Sequence, residues 1–152
     1  NIEQVMMNLA TNAKDAMPEG GRLTIITEQV TLGHEFVALN GYGQPGDYAL
    51  LSLADNGCGM PQKTVKKIFE PFFTTKEVGK GTGLGMAISY SIIKQHRGYI
   101  ICRSEPDQGT RFQIYLPLMP LTVEQQAGAE RPECQDRQSI VDAIEIKEGL
   151  DR

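Results

Sequence analysis

A glycine-rich run at residues 79–85 constrains this chain more than any other feature. It holds four glycines in seven residues and reads Gly-Lys-Gly-Thr-Gly-Leu-Gly. Such a run cannot build a core, and it leads directly into apolar residues at helical spacing between Met86 and His96. A flexible loop that enters a helix directs unpaired N–H groups outward and attracts anions. The run therefore predicts a site for a phosphate-bearing ligand.

Chain length, composition and net charge limit the classes of function that are compatible with this sequence. The chain has 152 residues, 40% of them hydrophobic, which fits one domain with its own core. Its net charge of −4 gives no electrostatic basis for nucleic-acid binding. Three cysteines without metal-site spacing predict a reducing, cytoplasmic compartment and no zinc. The sequence has no signal peptide or membrane-spanning run and starts without Met inside a predicted helix, so we expect a piece of a longer protein.

Hydrophobic periodicity predicts alternating helices and strands up to about residue 118. We expect helices at 1–17, 62–69 and 82–97 (capped by Gly98), strands at 22–30, 48–54, 99–103 and 111–116, and loops at 34–47 and 70–81. This alternation predicts a layered α/β sandwich. The sequence after residue 120 is polar and weakly patterned, so we expect a domain at 1–120 and a linker or tail at 121–152 with one short helical pattern.

The first predicted helix has two faces. Its apolar residues fall within an arc of about 120°, which suits packing on a sheet. Asn8, Asn12 and Asp15 fall within a separate arc of about 60°. This arc is either a solvated face or a polar site, and the site is favoured because Asn is a poor helix former. An amide oxygen suits Mg²⁺, which takes few protein ligands and completes its shell with phosphates and water.

A second polar cluster follows the strand at 48–54. Asp55 stands at its end, before Gly57 and Gly59. A carboxylate there can accept a hydrogen bond from an exocyclic amine such as that of adenine, and the glycines let a flat ring approach the backbone. The alternative is an ordinary Asn-Gly turn. Thr110 is either a plain strand residue or a hydroxyl that supports the same ring, directly or through water.

Five short motifs, in order, resemble the boxes of bacterial sensor histidine kinases, with most similarity to the nitrogen-regulatory subgroup. They are an N box at 8–16, a G1 box at 55–60, an F box at 69–76, a G2 box at 79–85 and a last glycine box at 109–112. The resemblance implies the Bergerat fold of gyrase B, mismatch-repair ATPases and heat-shock chaperones. In that α/β (α+β) two-layer sandwich, helices cover one face of a mixed β-sheet and ATP lies under a mobile lid.

The resemblance also implies roles for single residues. Asn12 matches the Mg²⁺ ligand and Asp55 the adenine anchor. The glycines that match are Gly57 and Gly59 beside the base, and Gly81, Gly83 and Gly85 around the phosphates. Further ATP contacts are expected from Asp15, Phe72, Lys76, Lys80, Thr82, Leu84 and Thr110, and the lid aromatics from Phe69, Phe72 and Phe73. The alternatives are core packing for the phenylalanines, solvation for the lysines, and a salt bridge or water contact for Asp15.

The identity of residue 8 helps to decide whether the chain transfers a phosphoryl group or hydrolyses ATP. Related ATP-hydrolysing families usually place a Glu at this position, and an amide is no general base. We therefore expect phosphoryl transfer, with Asn8, Asn12 and Lys76 as the catalytic residues, rather than a Bergerat-type ATPase. A third alternative is an ATP-binding interaction module without transfer activity.

The phosphoacceptor is expected outside this sequence. His34 lies in a predicted loop and His96 at a helix end, and neither fits an acceptor motif. The resemblance implies a dimeric helical phosphoacceptor domain N-terminal to this fold, in the same parent protein, and a response-regulator receiver domain as the next partner. It also implies that the domain is cytoplasmic, even in a parent attached to the inner membrane.

Overall fold

The structure, a computed structural model, describes residues 1–40, 43–77 and 81–118, so the predicted tail at 121–152 lies outside the described residues. The elements are α1 (Ile2–Asp15), β1 (Leu23–Leu32), α2 (His34–Asn40), β2 (Gly46–Asp55), α3 (Gln62–Val65), α4 (Gly85–Gln95), β3 (Tyr99–Glu105) and β4 (Gly109–Pro117). The helices and strands predicted before residue 118 are all present, with shorter helices than expected. None of the helices in these ranges is long and apolar enough to cross a bilayer.

The four strands form one sheet in the order β1-β2-β4-β3, and the α/β sandwich is confirmed. Every pairing in the described residues is antiparallel, so the expectation of a mixed sheet is wrong for this part of the chain. A tight turn joins β3 to β4, which returns the chain antiparallel, whereas β1 and β2 are joined through α2. The register places Asp55 opposite Thr110, and Thr110 opposite Ser104, in one row at the end of the sheet.

The main core lies between the sheet and the pair α1 and α4. Val5, Leu9 and Ala13 recur at four-residue spacing on α1 and are buried, as the apolar arc predicts. Ile92 and Ile93 of α4 complete the helical layer. The sheet contributes Leu53, Ile100, Phe112 and Ile114 to the same cluster. This packing fixes α1 and α4 side by side across one face of the sheet.

A second apolar cluster lies on the opposite face of the sheet. Leu32, Tyr48, Leu50 and Tyr115 are buried there, and Phe36 of α2 packs on Tyr115 with ring centroids 5.3 Å apart. The expectations of a loop at 34–47 and of helices on one face only are therefore both corrected. The glycines that suggested a loop follow the helix instead of interrupting it, and residues 34–40 are free to form α2.

The end of α4 also differs from expectation. The left-handed conformation after the helix belongs to Arg97, with φ 55°, and not to Gly98. The N–H of Gly98 donates to the carbonyl of Ile93 at 2.9 Å, and that of Arg97 to the carbonyl of Lys94 at 2.9 Å, which is a Schellman ending. Gly98 is needed for close approach, because a Cβ there would lie 2.6 Å from the carbonyl oxygen of Tyr115.

Candidate functional site

A cleft with two adjoining chambers lies between α1, the end of the sheet, the α3–α4 loop and the start of α4. The large chamber has a volume of about 850 Å³ and the small one about 220 Å³. Asn12, Phe73, Thr74, Lys76 and Met86 line both chambers, so the two are continuous. The cleft can hold a ligand with one bulky end and one narrow end.

Asp55 presents one carboxylate oxygen to the large chamber. Its Oδ1 accepts the backbone N–H of Gly57 at 2.9 Å and that of Thr110 at 3.3 Å. Its Oδ2 accepts no hydrogen bond from the described residues and is not buried without a partner. Two backbone donors thus fix the carboxylate, and the free oxygen is an acceptor for an amine in the chamber.

Thr110 stands next to Asp55 in the same row of the sheet. Its hydroxyl lies 2.9 Å from the hydroxyl of Ser104, which is buried and also accepts the N–H of Met60 at 2.8 Å. Ser104 Oγ donates to the carbonyl of Gly109 at 2.9 Å. This network holds the loop after β2 and the turn before β4 together at the edge of the large chamber. Sequence reasoning missed Ser104, because nothing near it in the sequence signals its partners.

Two glycines after Asp55 serve close backbone approach. A Cβ on Gly59, which has φ 61°, would lie 1.8 Å from the carbonyl oxygen of Glu105. A Cβ on Gly57 would lie 2.5 Å from the carbonyl oxygen of Ala16. Gly59 lines the large chamber, whereas Gly57 lies outside its lining and acts through its N–H on Asp55.

The two asparagines of α1 lie at the small chamber, as their shared arc predicts. The amide nitrogen of Asn8 donates to the carbonyl of Gly85 at 2.9 Å and to the hydroxyl of Ser89 at 3.0 Å. The side chain of Asn12 has no hydrogen-bond partner among the described residues, and none of its polar atoms is buried. Asn12 is therefore available to a ligand at the junction of the chambers.

The glycine-rich run forms the far wall of the small chamber. Gly81, Thr82, Gly83 and Gly85 line it, and Gly85 is the first residue of α4. The first N–H groups of a helix have no partner within it and attract anions. Leu84 is the cap residue of α4 and lies outside the lining, and Lys80 lies outside the described residues.

An ion pair links the α3–α4 loop to α1. Lys76 Nζ contacts Asp15 Oδ2, and the two side chains are 34% and 45% exposed. Both residues line the large chamber, and Lys76 also lines the small one. The predicted site residues Asp15 and Lys76 thus meet each other at the rim of the cleft.

The three phenylalanines of the α3–α4 loop have separate environments. Phe73 lines both chambers, and Phe69 packs on Tyr90 with ring centroids 5.4 Å apart. Phe72 is 75% exposed, has φ 66° and lines neither chamber. Its N–H donates to the carbonyl of Gly83 at 2.9 Å, so its backbone supports the glycine-rich run while its ring points away from both chambers.

Comparisons with known proteins identify the family of this chain. Residues 1–120 match the model of the histidine kinase-, DNA gyrase B- and HSP90-like ATPase family. The sensor kinase CckA of Brucella abortus is 43% identical over 146 residues, which are 95% of this chain and 15% of that protein. Sporulation kinase E of Bacillus subtilis is 41% identical over 117 residues, 77% of this chain and 14% of that protein. The chain thus spans about one seventh of the length of these relatives.

Solved structures show the same fold. A mycobacterial sensor histidine kinase, MprB, superposes with a TM-score of 0.59 and 28% identity, over 78% of this chain and 70% of that one. Full-length ShkA in complex with AMPPNP gives a TM-score of 0.58 and 26% identity, over 76% of this chain and 21% of that one. With the family model matched over residues 1–120, the chain belongs to the histidine kinase-, DNA gyrase B- and HSP90-like ATPase family.

Proposed function

We propose that this chain is the catalytic domain of a sensor histidine kinase, which binds Mg-ATP and transfers the γ-phosphoryl group to a histidine of a separate helical domain. The large chamber would hold adenine. The free Oδ2 of Asp55 would accept the exocyclic amine, while Gly57 and Thr110 hold the carboxylate in place. A guanine carbonyl at the same position would face a carboxylate and be repelled, so the arrangement favours ATP over GTP.

The small chamber suits the triphosphate. It offers the N-terminus of α4, the backbone of the glycine-rich run and the side chain of Lys76, whose ammonium group contacts Asp15. The described residues contain no cluster of three or more His, Cys, Asp or Glu side chains that could hold a metal. Mg²⁺ nevertheless fits, because it is usually held by one or two protein oxygens plus phosphates, and the open amide of Asn12 provides one. Bound there, Mg²⁺ would neutralise charge on the phosphates.

The absence of a base favours transfer over hydrolysis, and this observation carries the proposal. Among the described residues, the lining of the small chamber contains no Asp, Glu or His that could activate water. Asn8, at the position of the hydrolases' Glu, has its amide hydrogens engaged with Gly85 and Ser89. A nucleophile would therefore come from outside this chain.

The reaction follows from this arrangement. The unprotonated imidazole nitrogen of the acceptor histidine would form a bond to the γ-phosphorus as the bond to the bridging oxygen of ADP breaks, and the proton on the other ring nitrogen would pass to solvent. Lys76 and the N–H groups at α4 would stabilise the charge on the leaving diphosphate. Asn12, Asp55 and Thr110 would keep the nucleotide in line with the acceptor.

The partners of the proposed reaction lie outside this sequence. They are the dimeric phosphoacceptor domain of the same parent protein and the receiver domain of a response regulator. The domain would work in the cytoplasm, where ATP is present, even in a parent attached to a membrane. The relatives named above are sensor and sporulation kinases many times longer than this chain, which supports such a parent.

Calorimetric titration with ATP and GTP, with and without Mg²⁺, tests nucleotide binding. We expect ATP to bind more tightly than GTP, and Asp55→Asn to lose most of this preference. Asp107→Asn in the β3–β4 turn is the matched control, because Asn tolerates its left-handed conformation, φ 62°. A folded wild-type chain that binds neither nucleotide would contradict the proposal.

Adding a purified acceptor domain tests the transfer. We expect acid-labile, base-stable phosphohistidine on the acceptor, and no transfer by Asn12→Ala because the variant lacks the proposed metal ligand. Phosphate release without an acceptor would indicate an ATPase instead. ATP binding without either reaction would indicate an interaction module.

A further inference from the structure

Ser89 is a polar residue within the apolar core that the proposed function leaves unexplained. Its side chain is fully buried, with 0% exposure, on the face of α4 that meets α1. Its hydroxyl donates to the carbonyl of Gly85 at 2.8 Å and accepts from the amide nitrogen of Asn8 at 3.0 Å. A buried hydroxyl with both a donor and an acceptor partner has a defined orientation.

This network determines how the amide of Asn8 is turned. The carbonyl oxygen of Gly85 can only accept, so the Asn8 atom 2.9 Å from it must be the nitrogen. The hydroxyl proton of Ser89 is used on the same carbonyl, so Ser89 meets Asn8 as an acceptor. The amide nitrogen of Asn8 is therefore held on the α4 side by two acceptors.

The carbonyl oxygen of Asn8 lies on the opposite edge of this planar amide. It has no partner among the described residues, and it is not a buried unsatisfied atom, so it is open to solvent. The open space beside Asn8 is the small chamber, which Asn12 also lines. The chamber thus receives amide oxygens from two residues one turn apart on α1.

We propose that Ser89 is a positioning residue that acts through Asn8 and keeps its carbonyl oxygen turned toward the small chamber, where it would be available to Mg²⁺ or to its waters. The inference rests on the proposed binding of Mg-ATP. Without the hydroxyl of Ser89, one N–H of Asn8 would face an apolar side chain without a partner, which is unfavourable. Gly85 alone would then hold the amide, so the side chain would leave this orientation more often and its oxygen would be less available to a cation in the chamber.

A less firmly held amide predicts a weaker dependence of ATP binding on Mg²⁺, which calorimetry of the full chain can measure. The readout is the ratio of the ATP dissociation constant in EDTA to that in Mg²⁺. For Ser89→Ala we expect this ratio to fall roughly fivefold, the effect of about one unpaired hydrogen bond, while the dissociation constant in EDTA stays within about twofold. Loss of packing alone would weaken binding under both conditions.

Ser91→Ala is the matched control, because Ser91 makes the same type of bond to the helix backbone, to Ala87 at 3.0 Å, from an exposed position. For Ser91→Ala, the ratio of the ATP dissociation constants in EDTA and in Mg²⁺ should equal that of the wild type. Asn8→Ala and the double variant Asn8→Ala/Ser89→Ala should share one lowered ratio, since Ser89 acts through Asn8. If Ser89→Ala destabilises the chain, Ser89→Cys, which leaves no cavity and is only a weak acceptor, should lower the ratio too.

The outcomes separate this inference from the proposed function. A wild-type ratio in Ser89→Ala, or a double variant with a lower ratio than Asn8→Ala, would overturn the role of Ser89 while ATP binding stands. ATP binding by the wild type with no dependence on Mg²⁺ would also overturn it. No ATP binding by the wild type would overturn the proposed function, and the inference with it.

Discussion

The left-handed backbone conformation of Arg97 should lower the free energy of unfolding of this small domain. Among the described residues, Arg97, Phe72 and Asp107 are the non-glycine residues with positive φ. A side chain in this region is destabilised by contact between Cβ and the following carbonyl oxygen. Arg97 ends α4 in a position where glycine is the usual residue.

Replacing Arg97 with Gly should stabilise the fold by about 0.5–1 kcal/mol, because the relief of this contact exceeds the entropy lost by glycine on folding. Urea unfolding would measure the difference. Arg97→Ala keeps the Cβ and should leave stability nearly unchanged. An equal gain in both variants would mean that the arginine charge, and not its backbone, is unfavourable.

The two described cysteines should differ sharply in reactivity. Burial, and secondarily the Asp55 carboxylate, raise the pKa of the Cys102 thiol to about 12, so its reactive thiolate is scarce near neutral pH. Cys58 is exposed and lines the large chamber. In a Cys134→Ser background, Ellman's reagent at pH 8 should titrate one thiol in the native chain and the second only in denaturant.

ATP should slow the reaction of Cys58, since ATP and the labelling reagent would compete for the large chamber, which Cys58 lines. A Cys58→Ser variant identifies the reacting thiol. Fast labelling of that variant would show that Cys102 is accessible and that the β3 side of the core opens readily.

At the scale of elements, α2 holds its place through one aromatic contact. Phe36 packs on Tyr115 in the second apolar cluster, whereas Leu39 on the same helix is 86% exposed. Phe36→Ala should destabilise the chain by about 1–3 kcal/mol, less than for a fully buried Phe, and Leu39→Ala by nearly nothing. Thermal unfolding of both variants would measure this. Equal, small effects would mean that α2 is not docked on the sheet.

The Asp15–Lys76 pair connects the α3–α4 loop to α1, and its two halves should affect ATP binding in opposite directions. An exposed pair of this kind contributes about 0–1 kcal/mol. Asp15→Asn releases Lys76 for the phosphates, so ATP should bind about two- to fivefold more tightly at low salt. Lys76→Met should weaken binding. Weaker binding in both variants would instead support a direct contact between Asp15 and ATP.

At the scale of the whole molecule, local periodicity was enough to predict the sandwich and the faces of α1. The positions of Val5, Leu9 and Ala13 toward the core, and of Asn8 and Asn12 together on a separate face, follow from helical spacing alone. The motifs also predicted that Asp55 and Thr110 lie together, although 55 residues separate them.

What the sequence could not predict depends on partners far away in the chain. Ser89 owes its role to Asn8, 81 residues earlier, and Ser104 to Met60, 44 residues earlier. The second apolar cluster was missed because α2 is short and is followed by glycines. The left-handed cap at Arg97 was missed because a glycine stands directly beside it.

The hydrogen bond from the N–H of Phe72 to the carbonyl of Gly83 holds together the two ends of the segment at residues 73–82. A Cβ on Gly83 would lie 2.5 Å from the carbonyl carbon of Phe72, so the backbones of these two residues are in direct contact. Holding the ends of a longer segment together costs little additional free energy, about 0.6 kcal/mol for each doubling of its length. The segment at residues 73–82 can therefore vary in length, while Gly83 and Gly85 keep their positions in the wall of the small chamber.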